Sequence, residues 1–265
     1  FRSEDPGYRA AVATVRSVGR GVRDLPAGAP VGPDDLAGLA ATYVTPAHQH
    51  PLGLVMPAAD RLALLAAARA AGTMVVEDDY DSEFRYDVAP VPALAALDPG
   101  VVAYLGTASK SVAPTLRLGW LVGPADLVAE VAARREDANE APTWPSQRAL
   151  LAMLRDGHVD KVVRTARRVY GERAPRVAAA LSPWAEAAAS PAGMYSTWLV
   201  DQPAALRARE RARAAGFEVN LLSDYCRSST LTGLVVGFGG VTDAELDRAL
   251  EAVVEGLSTG GSGSR

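Results

Sequence analysis

Four short apolar runs constrain this chain more than any other feature. They are "ATYVT" (41–45), "TMVVED" (73–78), "VVAYLGT" (101–107) and "LGWLVG" (118–123). Each is too short for a helix and rich in β-branched or aromatic residues, which marks strands. Between the first two lies "PAADRLALLAAARAAG", apolar at helical spacing, with Pro57 near its start and Gly72 just past its end. Buried strands joined by helices pair in parallel, so the spacing predicts an α/β fold around a mainly parallel, doubly wound sheet.

The rest of the chain extends this plan. A helix is expected over 125–136, then a loop with Pro142 and Pro145, then an Arg-rich helical region over 146–181. From about residue 190 the texture changes. "GMYSTWLV", "FEVNLL" and "GLVVGFG" read as strands, with the helix "PAALRARERARAAG" between the first two. The last helix opens on "TDAE", where Thr242 and Glu245 form a capping box. The expected divisions are a partial large domain over 1–145, a connecting helical region over 146–180, a small α+β domain over 181–257 and a disordered Gly/Ser tail over 258–265. The opening "FRSEDPGYRA" has no charged n-region or apolar h-region, and reads as a loop, "EDPG", leading into a helix in the interior of a longer protein.

Bulk properties narrow the classes of function. Net charge is −4 at pH 7, so no basic surface for nucleic acid is implied. A single cysteine, Cys226, excludes an internal disulfide framework and a Cys-rich zinc site, and fits a cytoplasmic protein. A histidine-built metal site has only His48 and His50 to start from. No apolar run reaches the length of a transmembrane helix.

The stretch "VVEDDYDSEFRY" (75–86) ends a strand in carboxylates. That pattern suits a metal site, a phosphoryl-transfer site, a solvated turn or a grip on a cationic cofactor. A second feature bears on the choice. Of 27 basic residues only Lys110 and Lys161 are lysines. Arginine replaces lysine wherever charge alone is needed, but it cannot lose its proton and attack a carbonyl. Lys161 lies in a charged helical stretch, "HVDKVVRTARR", and reads as a solvated residue. Lys110 follows a strand in the small-residue turn "GTASKSVAP", at the carboxyl end where open α/β sheets bind ligands. Thr107, Ser109 and Arg117 beside it offer the hydroxyls and guanidinium that a phosphate monoester needs. An amine, a phosphate cup and an acid together describe a pyridoxal phosphate site, where the acid keeps the pyridine nitrogen protonated. A response-regulator receiver would need a phospho-accepting aspartate on a strand between the acids and the lysine, and 87–100 reads as a Pro/Ala-rich connection.

"YVTPAHQHPLG", "VVEDDYDSEFRY", "VPALAALDP", "YLGTASKSVAPTLRLGWLV" and "GLVVGFGGVTDAEL" occur in order. Together they resemble the aminotransferase-like domain of the MocR subfamily of GntR-type transcription regulators, which has the fold-type I architecture of pyridoxal-phosphate enzymes. The resemblance covers essentially the whole chain. It implies that Lys110 forms the internal aldimine, that Asp78 partners the pyridine nitrogen and that Tyr80 donates to the ring's 3′-oxygen. Thr107, Ser109 and Arg117 become phosphate contacts. Glu77, Asp79, Asp81 and Glu83 become strand-end and turn groups, some paired with arginines. It also implies an amino-acid or amine effector, a homodimer, and DNA contact only through a winged-helix domain that this chain does not include, with no membrane role. A true aminotransferase is the alternative.

Three positions depart from the family pattern. Related regulators often carry an aromatic where this chain has Ala108 and His50, and a small hydroxyl residue where it has Leu52. His50 falls near the position where aminotransferases place an asparagine beside the ring oxygen. No motif marks a carboxylate-binding arginine; Arg227, in "DYCRSS", is the candidate. The family's Gly-containing phosphate loop and ring-stacking aromatic are expected upstream of Phe1.

Overall fold

The computed structural model describes residues 1–86, 92–190 and 192–259. The first part builds β1 (Arg2–Asp5), α1 (Arg9–Ser17), β2 (Arg23–Pro26), α2 (Pro33–Leu36), β3 (Ala41–Val44), α3 (Ala58–Ala71), β4 (Met74–Asp79), α4 (Leu94–Leu97), β5 (Val102–Thr107), β6 (Gly119–Val122) and α5 (Ala125–Asp137). Its strands form one sheet in the order β2-β1-β3-β4-β5-β6. All neighbours are parallel except β5 and β6, which form an antiparallel edge pair. The four expected strands are β3 to β6, and α3 ends as expected, with Gly72 in the left-handed region at φ 64°. The antiparallel β6 follows from its connection: residues 108–118 carry no crossover helix, so the chain can only turn back.

Two strands, β1 and β2, had no place in the expected fold. "RSED" reads as polar loop, yet Ser3, Glu4 and Asp5 are 0%, 4% and 4% exposed. Hydrogen-bond partners distant in sequence hold the two carboxylates there, so tertiary context overrides the local pattern. β1 sets the geometry of the whole sheet. From it the chain first moves outward to β2, then crosses back to β3 and continues the other way. The loops after β1 and β3 therefore leave the sheet in opposite directions, and a crevice opens at the carboxyl ends of these strands.

The expected helical region over 146–181 is two helices, α6 (Trp144–Arg155) and α7 (His158–Leu181). Gly157, at φ 71°, breaks them. Beyond them lie β7 (Glu186–Ala187), β8 (Tyr195–Leu199), α8 (Gln202–Ala214), β9 (Asn220–Leu221), β10 (Gly233–Gly237) and α9 (Asp243–Ser258). The strands form an antiparallel sheet in the order β7-β8-β10-β9. The run "FEVNLL" contributes only two residues to it. The Thr242–Glu245 capping box forms as expected, Thr242 Oγ1 accepting from Glu245 N at 3.3 Å and Glu245 Oε2 accepting from Thr242 N at 2.7 Å. α9 continues through Ser258, the first residue of the expected tail, and residues 260–265 lie outside those described.

Separate apolar cores hold the two sheets. Leu36, Val44, Leu64, Leu65, Val75 and Val102 pack on the first. Val177, Trp198, Leu234, Phe238, Leu246 and Val253 pack on the second. A third cluster joins them: Leu52, from the loop after β3, packs with Tyr195, Leu222, Tyr225 and Val235. This seam lies beside the crevice.

Candidate functional site

The acids of "VVEDDYDSEF" separate sharply once their partners are known. Glu77 accepts from Leu94 N at 2.8 Å and Ala95 N at 3.0 Å, which ties the first turn of α4 to β4. Asp79 accepts from Ser82 Oγ at 2.7 Å and Tyr104 OH at 2.9 Å, closing the turn after the strand. Asp81, 1% exposed, sits 2.7 Å from His48 Nδ1. The Glu83 carboxyl is pushed up to about 7 by burial, against a hydrogen bond from Ser111. These four acids are turn and strand-end groups, as expected. Their partners, however, are backbone N–H groups, hydroxyls and a histidine rather than arginines.

Asp78 is different. Tyr43 OH donates to its Oδ2. Oδ1 has no protein donor among the described residues. Burial raises its pKa, the Tyr43 hydrogen bond opposes this, and the charges of Asp79 and Asp81 raise it further. A half-buried carboxylate so short of donors gains most from a cationic N–H brought to it.

Lys110 lies on the turn that follows β5, the strand paired with β4. Its side chain is exposed. The turn is folded by its own small groups: Ser109 N donates to Thr107 Oγ1 at 3.1 Å, and Ala108 N donates to Leu118 O at 3.0 Å. That second bond draws residues 107–109 against 117–118. Arg117 adopts φ 50° and ψ 40°, a left-handed conformation that costs a non-glycine residue about 1–2 kcal/mol. Neither the Lys110 amine nor the Arg117 guanidinium has a protein partner among the described residues. Two unpaired cations and the hydroxyls of Thr107 and Ser109 therefore share one small loop, the Thr107 hydroxyl also donating to Leu118 O at 3.4 Å.

Tyr80 does not present its hydroxyl freely. It donates to His48 O at 2.8 Å and lies 2.8 Å from the hydroxyl of Tyr195 on β8. Tyr195 OH in turn donates to Gln49 O at 3.2 Å. Tyr80 is thus a post between the two sheets.

Arg227 is also engaged. Its Nε donates to Asp24 Oδ1 at 2.6 Å, and its Nη2 donates to Glu4 O at 2.8 Å and Ser3 O at 3.1 Å. The residues around it close over Asp5. Asp5 Oδ1 accepts from Arg227 N at 2.7 Å, and Oδ2 accepts from Ser228 N, Ser228 Oγ and Ser229 N at 2.7–2.8 Å. Burial alone would raise the Asp5 pKa, but these donors outweigh it and hold it below the usual carboxylate range. Arg227 acts here as a strut from the second sheet onto β1 and β2.

Three tyrosines to which the sequence motifs assign no role also lie at the site. Tyr43 holds Asp78. Tyr8, 44% exposed, places its ring 6.1 Å from that of His50, and Tyr225 places its ring 5.1 Å from the same imidazole. Tyr8 directly follows "EDPG", so recognising β1 is what would have found it. Among the described residues no three His, Cys, Asp or Glu side chains are arranged to hold a metal ion, and no helix is long and apolar enough to cross a membrane.

The profile of the family "Aminotransferase class I and II" matches residues 43–253. The chain belongs to that family. Its curated relatives include HTH-type transcriptional regulators. The pyridoxine biosynthesis regulator PdxR of Corynebacterium glutamicum is 31% identical, over 97% of this chain and 58% of its own length. The probable rhizopine catabolism regulatory protein MocR of Rhizobium meliloti is 36% identical, over 64% of this chain and 35% of its own length. The chain thus spans only part of the length of these relatives. Among solved structures, LysN, the α-aminoadipate aminotransferase of Thermus thermophilus, superposes with a TM-score of 0.86 at 21% identity, over 97% of this chain and 70% of that one. These matches establish the fold-type I architecture and the kinship with MocR-type regulators.

Proposed function

We propose that the crevice binds pyridoxal 5′-phosphate and that the chain is a sensing module of a MocR-type regulator, responsive to the cofactor or to an amino compound. The carrying observation is the placement of Asp78 and Lys110 on the ends of adjacent strands, the first short of donors and the second free of partners. The LysN structure holds N-(5′-phosphopyridoxyl)-L-leucine, a compound of the same chemistry. Bound there, the cofactor would supply a carbonyl for an amine and an electron-withdrawing ring. The protein's part follows from its own groups. Lys110 supplies the amine. Asp78 Oδ1 accepts a ring N–H and keeps it protonated. Thr107, Ser109 and Arg117 hold a phosphate dianion, and the exposed ring of Tyr8 offers a face for stacking. A homodimer, and DNA recognition by a longer protein of the HTH-type regulator kind, belong to this proposal.

The engagement of Arg227 favours sensing over catalysis. A transaminase needs a cation free to grip a substrate carboxylate, and Asp24 already neutralises this one. Adding pyridoxal phosphate to the purified chain should produce a visible absorption band. Lys110→Ala should remove it and Lys161→Ala should leave it. A wild-type chain that never forms the band rules the proposal out. Steady transamination of an amino acid would favour the enzyme alternative.

A further inference from the structure

α7 puts its cations to two different uses. In its second half, Arg173 Nε donates to Asp243 Oδ1 at 2.9 Å and its Nη1 donates to Phe238 O at 2.8 Å, while Arg176 pairs with Asp243 and Asp247. These arginines fasten the helix to α9. α8 is as rich in arginine, and its Arg211 reaches Glu255 of α9 at 3.3 Å. The stretch 155–168, from the end of α6 into the first half of α7, is different. It carries Arg155, Lys161, Arg164, Arg167 and Arg168 against Asp156 and Asp160, in a chain whose net charge is −4. All five cations are exposed. Arg168 pairs with Glu172 at the surface. The other four side chains have no hydrogen-bond or ion-pair partner among the described residues.

Helical spacing makes these cations a strip. Lys161, Arg164 and Arg168 stand at i, i+3 and i+7, so they share one face over about 10 Å of helix. Arg167 flanks that face, and Arg155 precedes it across the break at Gly157. Like charges at these spacings destabilise a helix. A solvated helix face avoids this by alternating the signs of its charges; here the repulsion stands. A polyanion with regularly spaced charges relieves it. Duplex DNA carries a phosphate about every 3.4 Å along each strand, so the shared face spans roughly three of them. Four of the five cations are arginines, whose planar fork grips phosphate oxygens two at a time. Acids elsewhere in the chain conceal the strip in the net charge. We propose that this strip holds the phosphate backbone of duplex DNA. Phosphate contacts position a protein on DNA and base contacts specify the sequence, so the strip steadies a regulator whose sequence reading lies in another domain. The inference rests on the regulator reading above and brings one DNA contact into this chain.

The test uses the full chain and a fluorescent duplex of about 30 base pairs of arbitrary sequence, followed by anisotropy from about 50 to 200 mM salt. Four phosphate contacts, one for each unpaired cation, predict a slope of log K against log salt of about −3.6. Arg164→Ala combined with Arg167→Ala should bring the slope to about −1.8 and weaken binding at least about tenfold at the lowest salt. Arg209→Ala combined with Arg213→Ala, on α8, removes the same charge and should leave the slope in place. The inference is overturned if the wild-type chain shows no salt-dependent binding of the duplex. It is also overturned if the two pairs of substitutions act equally, which is an effect of net charge alone, or if phosphatidylserine vesicles bind the strip and the duplex does not. The pyridoxal phosphate band, read on the same chain, keeps the two readings apart. A band without duplex binding strikes the strip alone; duplex binding with the expected slope and no band strikes the cofactor reading and leaves the strip.

Discussion

The carboxyl ends of β1 and β4 each present an aspartate to the same crevice, buried at Asp5 and half-buried at Asp78, and the protein treats them in opposite ways. Asp5 collects four hydrogen bonds from residues 227–229, and its pKa falls. Asp78 collects one, from Tyr43, and its pKa rises. Burial is unfavourable to both charges; Asp5 is better supplied with donors, and Asp78 alone also feels the like charges of Asp79 and Asp81. A fully satisfied carboxylate fastens two parts of a fold together. An under-supplied one is a cost that persists when a ligand can relieve it. Asp5 is therefore read as structure and Asp78 as site.

This contrast breaks most visibly in stability. Asp5→Ala strips four donors of their buried acceptor and should cost about 3–5 kcal/mol, measured by urea unfolding at pH 7. Asp78→Ala should cost far less, because the raised pKa marks a charge the fold holds at a penalty. Equal losses would erase the distinction. Cofactor affinity should show the reverse order: Asp78→Ala weakens pyridoxal phosphate by about ten- to a hundredfold, the worth of one charge-assisted hydrogen bond.

pH dependence sharpens the comparison through Glu4, next to Asp5 on β1. Burial lifts its pKa from 4.5 to about 7, even though Thr45 N donates at 3.0 Å and Thr45 Oγ1 at 2.7 Å. The folded chain then holds a proton that the unfolded chain releases. Stability from this group is complete below pH 4.5 and is lost as pH rises through about 7, at up to about 1.4 kcal/mol per unit. Asp5 has the opposite sign: its contribution is present above its ordinary value of 3.8 and vanishes as pH falls through its lower folded pKa. Glu4→Gln should reduce the slope of the profile between pH 4.5 and 7, leaving the similar slope due to Glu83, which burial also lifts to about 7. An unchanged profile would show that Glu4 does not titrate there. The smallest effect belongs to Arg117→Ala, at the exposed residue proposed to contact the phosphate: up to about tenfold weaker pyridoxal phosphate at low salt, fading as salt rises.

The same pair of aspartates shows what the sequence could disclose. Asp78 was legible because its surroundings are local: an apolar strand runs into it, and Lys110 follows on the next strand end. Asp5 was not legible, since its donors lie more than 220 residues away in sequence. For the same reason β1 has the local pattern of a loop, and nothing local marks Tyr8 just beyond it. Tyr80 was found as a residue, but its expected donor role depends on a hydroxyl that Tyr195, 115 residues on, already occupies. Arg227 likewise was visible as a cation, whereas its neutralisation by Asp24 on β2 was not. Local pattern marks the strands that carry the candidate site residues. Long-range hydrogen bonds decided which polar groups remain free to perform it.

The account stands on Lys110 being the residue that meets pyridoxal phosphate. Borohydride reduction of the mixture followed by peptide mapping tests this directly, because the chain has only two lysines. The phosphopyridoxyl group should appear on the peptide containing Lys110 and not on that containing Lys161. Labelling confined to Lys161, or spread equally over both, would contradict it.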